Sequence, residues 1–233
     1  MDWFHRIYEG RETFSDQEEE RAFRENQSAL TRPEVTQLCH LLDLASGSLI
    51  LDAYCGNGRH AMELAHQGYR VIGLDIAASR IAFAHRWARD EESLASFLIS
   101  DARALPFRDS FQAIMIFGGS FTHCRNEGEN LSLLRGFKAV LRPGGWLLID
   151  NPNPLRFWRI QHPHATPEEF AEVNYFDMPL GMPGAFGYVR YYSAPETQRL
   201  LKEAGFRVRS VLGDRTGTGY TLESPRLIVI AEV

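Results

Sequence analysis

Leu49-Ile50-Leu51-Asp52-Ala53-Tyr54-Cys55-Gly56-Asn57-Gly58-Arg59-His60 decides how this 233-residue chain folds. The apolar run Leu49–Leu51 reads as a buried strand, and Asp52 falls where that strand ends. Gly56 and Gly58 let the backbone turn tightly and approach a ligand without interference from Cβ. Asn57 to Gln67 then reads as a helix that ends near Gly68. Strand, glycine turn and helix N-terminus together form a nucleotide-type site at the carboxyl edge of a parallel sheet.

Further acids follow at telling intervals. The second strand, Tyr69 to Asp75, ends in a carboxylate roughly 20 residues past the glycines, an interval that suits bidentate hydrogen bonding to a ribose diol. Asp75 is also placed to cap the helix-like Ala77–Ala88, and the two duties are compatible. A third strand, Ser96–Ser100, delivers Asp101-Ala102 to the same edge. An acid there suits an adenine amino group, or serves as a solvated turn residue before Pro106.

These pieces are specific in combination. Asp52-Ala53-Tyr54-Cys55-Gly56-Asn57-Gly58, Asp75, Asp101-Ala102 and Leu141-Arg142-Pro143-Gly144-Gly145-Trp146 through Asp150 resemble the successive motifs of class I S-adenosylmethionine-dependent methyltransferases. The resemblance covers residues 35–150 and resumes at 194–233. There Pro195-Glu196 and Leu200 to Phe206 are similar to that family's last helix. Gly213-Asp214, Tyr220 and Ser224 to Ile228 resemble a small bacterial subgroup whose substrates are mostly unassigned.

The resemblance implies an α/β, Rossmann-like methyltransferase fold. It would have a seven-stranded, mostly parallel sheet with an antiparallel last strand, and helices on both faces. It implies S-adenosyl-L-methionine as cofactor, held by Asp52, Tyr54, Cys55, Gly56, Asn57, Gly58, His60, Asp75, Ile76, Arg80, Asp101, Ala102, Phe117 and Gly118, while Tyr8 is expected near the methionine end from the aromatic face of the N-terminal extension. One departure matters: many relatives carry a small residue where Tyr54 stands, so the wall beside the methionine end is shaped differently. A dinucleotide dehydrogenase is the rival reading of the loop, because that fingerprint tolerates Ala61 at its third glycine. Arg142-Pro143-Gly144-Gly145 before a strand favours the methyltransferase.

Composition suits a single domain over 1–233, with 44% hydrophobic residues to build its core. No window approaches the roughly 18 uninterrupted apolar residues of a membrane span. The early charges of Met1 to Arg6 leave no signal-peptide core, which points to a cytoplasmic protein. Cys39, Cys55 and Cys124 are too scattered for a disulfide framework or a zinc site. A net charge of −5 argues against a nucleic-acid partner. Lysine stands only at 138 and 202, and residues 1–30 hold eight acids against four arginines. A small neutral or cationic methyl acceptor fits this balance better than RNA or a protein substrate. A cofactor-binding protein without turnover is the further alternative.

Two segments lie outside the sheet pattern. Residues 1–30 read as an N-terminal lid extension with a helical acidic middle, Ser15–Asn26. Trp3, Phe4, His5 and Tyr8 give it one aromatic face. A second helix is expected from Thr31 to about Leu44, with Pro33 in its first turn, where a missing amide costs nothing. Strand four is expected at Ala113–Phe117, a helix at Gly128–Leu141, strand five at Trp146–Asp150, and a last pair at Arg207–Leu212 and Arg226–Ala231. Residues 152–192 hold nine aromatics in 41 positions, against 18 in the other 192, and read as a substrate lid over the sheet edge.

Three constellations test the reading. Asn151-Pro152-Asn153-Pro154 looks like an amino-methyltransferase motif but follows strand five instead of strand four. Asp150-Asn151 resembles a magnesium-binding pair, yet Phe117-Gly118 supplies no further acid, so no metal is expected. His162-Pro163-His164 lacks the cysteines or acids that would complete a metal site. His123, just past strand four, is the candidate general base, since histidine exchanges protons near neutral pH.

Overall fold

The computed structural model describes residues 17–122, 124, 126–156, 176–179, 186–189 and 192–233. Helix α1 (Gln17–Leu42) precedes β1 (Leu49–Ala53), α2 (Arg59–His66), β2 (Arg70–Asp75), α3 (Ala78–Asp90), β3 (Ala95–Ile99) and β4 (Phe111–Ile116). A short 3-10 turn (Ser120–Thr122), α4 (Glu127–Val140) and β5 (Leu141–Pro152) follow. Then come β6 (Phe176–Pro179), β7 (Phe186–Val189), α5 (Ala194–Glu203), β8 (Arg207–Leu212) and β9 (Arg226–Glu232).

Seven strands form one sheet in the order β3-β2-β1-β4-β5-β9-β8. β3, β2, β1, β4 and β5 run parallel, and β9 is antiparallel to both β5 and β8. The alternation of strand side chains loads both faces. Ile50 of β1 joins Val35, Leu38, Leu64, Ile81 and Trp87 on one face. Leu51 and Ala53 join Leu134, Phe137, Leu200 and Leu201 on the other. Helices therefore cover both sides, as the expected architecture requires. The strand order reverses between β1 and β4, so a crevice opens at their carboxyl ends.

Phe97 of β3 shows why glycine is needed there. A Cβ at Gly73 would come within 2.5 Å of its ring, and one at Gly58 within 2.7 Å. The ring thus lies against two residues without side chains, which brings the turn after β1 down onto the sheet.

Several expected boundaries move. Residues 17–42 form one helix where a break before Thr31 was expected, with Pro33 inside it. Pro33 removes one intrahelical bond, but Thr31, Val35, Leu38 and Leu42 all face the core on one stripe. That burial carries the helix through the proline. Helix α2 begins at Arg59 instead of Asn57, because Gly58 sits at φ 85°, a left-handed conformation that cannot start a right-handed turn. Strand β5 begins at Leu141: Phe111 pairs with Leu141 and Ala113 with Trp146, so Arg142–Gly145 bulges from the ladder.

Of the proposed lid, β6 and β7 pair with each other antiparallel. Residues 157–175, 180–185, 190 and 191 lie outside the described residues, as do 1–16 with their aromatic face. Tyr192, assigned above to the lid, belongs to the core instead: it is buried, and its hydroxyl accepts a hydrogen bond from Asn130 Nδ2 at 2.8 Å. Among the described residues no helix is long and apolar enough to cross a membrane.

Gly73→Ala should destabilise the fold by about 1–3 kcal/mol through overpacking against Phe97. Urea denaturation is the check, and Phe97→Leu in the same background should restore part of the loss. An unchanged midpoint for Gly73→Ala would mean that the ring moves aside without cost.

Candidate active site

Four backbone features build the turn after β1. Tyr54 sits at φ 64° and Gly56 at φ 55°. The left-handed conformation is costly for a tyrosine, on the order of 1 kcal/mol, and it swings the chain off the strand. The Cys55 amide donates to the Leu74 carbonyl at 2.9 Å, stitching the turn to β2. The Gly58 amide closes the turn on the Cys55 carbonyl, also at 2.9 Å.

Asp75 completes it. One carboxylate oxygen accepts from the Gly56 amide and the other from the Ala77 amide, both at 2.9 Å. The acid therefore ties the glycine turn to the start of α3, and each oxygen keeps a further lone pair. The expected capping duty is not met: the N-cap of α3 is Ala77, without a side-chain cap bond, and Asp75 holds only the Ala77 amide just ahead of the helix.

A cavity of about 330 Å³ lies over this turn, lined by residues from four places in the chain. Tyr54, Cys55, Gly56, Asn57, Arg59 and His60 come from the turn, Arg80 from α3, Phe117, Gly118 and Ser120 from the end of β4, and Phe23 and Gln27 from α1. The side-chain oxygen of Asn57 is buried without a hydrogen-bond partner. His60 stacks flat on Phe117, ring centres 3.8 Å apart and 9° from parallel, which joins the turn after β1 to the end of β4.

The candidate residues divide accordingly. Tyr54, Cys55, Gly56, Asn57, His60, Arg80, Phe117 and Gly118 meet at the cavity. Asp52, Gly58, Asp75, Ile76, Asp101 and Ala102 are not in its lining. Asp101 is bound by its neighbour: Arg103 donates to it from its backbone amide at 2.9 Å and from its guanidinium at 2.6–3.0 Å. Tyr8 and His123 lie outside the described residues. Phe23, Gln27, Arg59 and Ser120 were missed. Arg59 and Ser120 adjoin motif residues and were within reach of a fuller reading, whereas nothing local marks Phe23 or Gln27.

A charged network fastens α1 beside the cavity. Arg215, between β8 and β9, pairs with Glu34 of α1 and donates to Asp150 Oδ2 at 2.7 Å. Asp150 is wholly buried and also pairs with Arg226. Its carboxylate is thereby occupied by two guanidiniums, and the resemblance to a metal-binding pair has no further support. Among the described residues no cluster of three histidines, cysteines or acids could hold a metal. Asn153 is likewise structural: it donates to the carbonyls of Leu222 and Ser224 and accepts from Tyr220.

His60, Glu34 and Asp52 have displaced acidities. Burial pushes the His60 imidazole down to about 4, against an opposing pull from Glu34 3.5 Å away. Burial of Glu34 opposes its ionisation, but His60, Arg215 and Arg59 outweigh that and hold it below the usual range. Asp52, at the end of β1, is pushed up to about 8 by burial; Arg59 and the Ala61 amide oppose the shift, and Asp75 adds to it.

The Asp52 shift fixes the sign of a pH effect. The folded state holds this proton more tightly than the unfolded chain, whose carboxyl titrates near its ordinary 3.8. The associated stability is full below about pH 3.8 and falls as pH rises towards 8. Asp52→Asn, which mimics the protonated acid, should unfold near the parent's urea midpoint only at or below about pH 3.8. It should exceed the parent by about 1–3 kcal/mol at pH 9. Parallel pH profiles for the two proteins would show that Asp52 does not titrate in this way.

Residues 50–145 match the family model described as a methyltransferase domain. A cypemycin N-terminal methyltransferase from Streptomyces sp. is 23% identical over 80% of this chain and 83% of its own length. A glycine/sarcosine N-methyltransferase from Parasynechococcus marenigrum is 32% identical, over 45% of this chain and 38% of its own. The crystal structure of a SAM-dependent methyltransferase from Methanosarcina mazei superposes with a TM-score of 0.64 at 25% identity, covering 81% of this chain and 93% of that one. The sheet order and glycine turn agree with this match: residues 50–145 carry an S-adenosylmethionine-dependent methyltransferase domain.

Proposed function

We propose that this enzyme methylates a nitrogen atom of a small molecule, with S-adenosylmethionine as donor. The observation that carries the reading is the cavity at the β1–β4 switch point, walled by the Tyr54–His60 turn on one side and Phe117-Gly118 on the other. The residues present fit the cofactor. Gly56 lies at the cavity wall in a left-handed conformation, and a Cβ there would stand 3.1 Å from the Arg80 guanidinium. The partnerless Asn57 oxygen is an acceptor waiting for an N–H. Asp75 is the proposed ribose partner, through the lone pairs its two backbone bonds leave over. Ile76, Asp101 and Ala102 are proposed for the adenine end, with Asp101 sharing its carboxylate between Arg103 and the ligand.

The bound cofactor supplies a methyl group already made electrophilic by its sulfonium. The protein's task is then mainly alignment, which contributes up to roughly 7–11 kcal/mol in well-oriented systems. The Tyr54–His60 turn, fixed by Asp75, sets one side of that alignment, and Phe117, pinned by the His60 ring, sets the other. Phe23 and Gln27 of α1 line the cavity on a further side.

The choice of nitrogen rests on acid–base chemistry. His60 is the one histidine in the described lining, and an imidazole pushed down to about 4 is a weak proton acceptor at neutral pH. A neutral amine brings its own lone pair and needs no base, whereas a hydroxyl gains much more from one. The two relatives named for N-methylation are consistent with this. The net charge of −5 favours a small acceptor over nucleic acid.

The purified protein should form S-adenosylhomocysteine when incubated with S-adenosylmethionine and a panel of small primary and secondary amines. Mass spectrometry should place the added methyl on nitrogen. Products methylated only on hydroxyls, or methyl incorporation only into RNA or protein fractions, would overturn the assignment.

A further inference from the structure

We infer that Arg215 is a positioning residue for methyl transfer, anchoring Glu34 so that the His60 ring lies flat on Phe117 and α1 keeps its place at the cavity. The inference rests on the proposed function and gives a role to the stretch Gly213 to Ile228, which the sequence marks without explaining.

Loop 213–225 joins β8 to β9 and is built to present one side chain. Asp214 Oδ1 accepts from the amides of Thr216 and Thr218 at 2.8 and 3.2 Å and from the Thr216 hydroxyl at 2.7 Å. The Gly213 amide donates across the loop to the Thr218 carbonyl at 2.8 Å. These bonds fold the loop around Arg215. Its guanidinium is held on two sides: Nε donates to Asp150 Oδ2 at 2.7 Å, and Nη1 pairs with Glu34 Oε1. Asp150 is wholly buried in β5 and is held in turn by Arg226. The sheet thus fixes the guanidinium that Glu34 meets.

Glu34 needs that anchor. Its other oxygen, Oε2, faces His60 Nε2 across 3.5 Å, and both atoms are buried without a hydrogen-bond partner. Arg59 stands 4.0 Å from the same oxygen. A cation attracts a carboxylate more strongly than an imidazole that burial keeps neutral, so a carboxylate released from Arg215 turns towards Arg59. With Oε1 pinned, Oε2 stays beside His60 instead. Chain connectivity places His60 in the wall, but what faces Nε2 sets the rotation of its ring. That ring stacks on Phe117 at 3.8 Å and 9° from parallel, and Phe117 lines the cavity.

The loop seats α1 as well. Gln37 Nε2 donates to the Thr216 carbonyl at 3.1 Å, and a Cβ at Gly217 would come within 3.3 Å of Leu41. Glu34, Gln37 and Leu41 share one stripe of the helix. Gln27 and Phe23, which line the cavity, stand seven and eleven residues before Glu34, within about 20° of it around the axis of a regular helix. Fixing the rotation of α1 at Glu34 therefore fixes both of these side chains.

The test reads the ring contact and turnover separately, on the full chain. Arg215→Met and Glu34→Ala cut the link between loop and helix from opposite ends, and Arg215→Lys keeps a cation. Arg226→Met is the comparison, since it breaks the other pairing of Asp150 without touching Glu34. In the NMR spectrum of the ligand-free parent, the His60 ring protons, assigned by their absence in His60→Gln, should lie upfield of an unstacked imidazole. Arg215→Met and Glu34→Ala should lose most of that displacement, and Arg215→Lys should retain part of it. Arg226→Met should retain all of it despite a lowered melting temperature. With S-adenosylmethionine and the amine that the parent turns over fastest, kcat should fall about 10- to 100-fold in the first two variants, the range for a small misplacement remote from the chemistry. In Arg226→Met it should stay near that of the parent.

Full displacement in both Arg215→Met and Glu34→Ala overturns the inference and leaves the proposed function standing. An equal loss in Arg226→Met would mean a general loosening of the network and overturn it too. So would displaced ring signals with an unchanged kcat. A parent that methylates no acceptor at all fails before any variant is compared, and that result overturns the proposed function and this inference together.

Discussion

A single carboxylate holds the two turns on which the site depends. Asp75 accepts from the Gly56 amide through one oxygen and from the Ala77 amide through the other. Bonds of this kind, neutral amide to charged oxygen, contribute about 1.5–3 kcal/mol each, and the low exposure of Asp75 limits competition from water. Their geometric effect exceeds their energy. With Gly56 anchored to the end of β2, the positions of Asn57, Arg59 and His60 follow from chain connectivity. The His60 ring then meets Phe117 face to face and extends the constraint across the switch point to β4.

The network on the other side of the cavity has a different function. Buried ion pairs seldom add net stability, because the desolvation of the charges offsets their attraction; breaking one by removing a single partner is nonetheless costly, about 3–5 kcal/mol. Arg215 is held between Glu34 of α1 and Asp150 of β5, residues far apart in the chain. A register shift of α1 by one residue would strand all three charges. The arrangement selects one position of the helix, and that position brings Phe23 and Gln27 to the cavity. Apolar burial of Val35, Leu38 and Leu42 would hold the helix down but tolerate sliding along the sheet far more readily.

What was legible in the sequence and what was not divide along the range of the interactions. The strands could be read because apolar runs and the glycine turns leave local marks, and Asp75 could be found because its interval from Gly56 is a property of the βαβ unit. The start of α2 was misplaced because Asn57 and Arg59 are both acceptable helix residues, and only the left-handed Gly58 between them delays the first turn. The continuity of α1 through Pro33 was hidden for the opposite reason: a local breaker is overridden by a tertiary stripe of buried residues. Asp101 illustrates a signal that was present and not weighed, since the arginine two positions on is close enough to claim its carboxylate. Phe23 and Gln27 carry no mark at all in the sequence, for their place at the cavity is set by Glu34 and Arg215, 181 positions apart.

The displaced acidities of His60 and Asp52 combine into one property of the site. An imidazole lowered to about 4 and a carboxyl raised to about 8 are both uncharged between those values. Near neutral pH the described histidine of the lining and the acid at the end of β1 are therefore neutral, and the permanent charges of the described wall are the guanidiniums of Arg59 and Arg80. Such a wall has little capacity to exchange protons with a reactant and considerable capacity to orient one. Burial produces both features together: it discharges the groups that can lose their charge and leaves the arginines, which cannot. Selectivity in this part of the cavity must then come from shape and from the fixed positive field, with reactivity brought in by the reactants themselves.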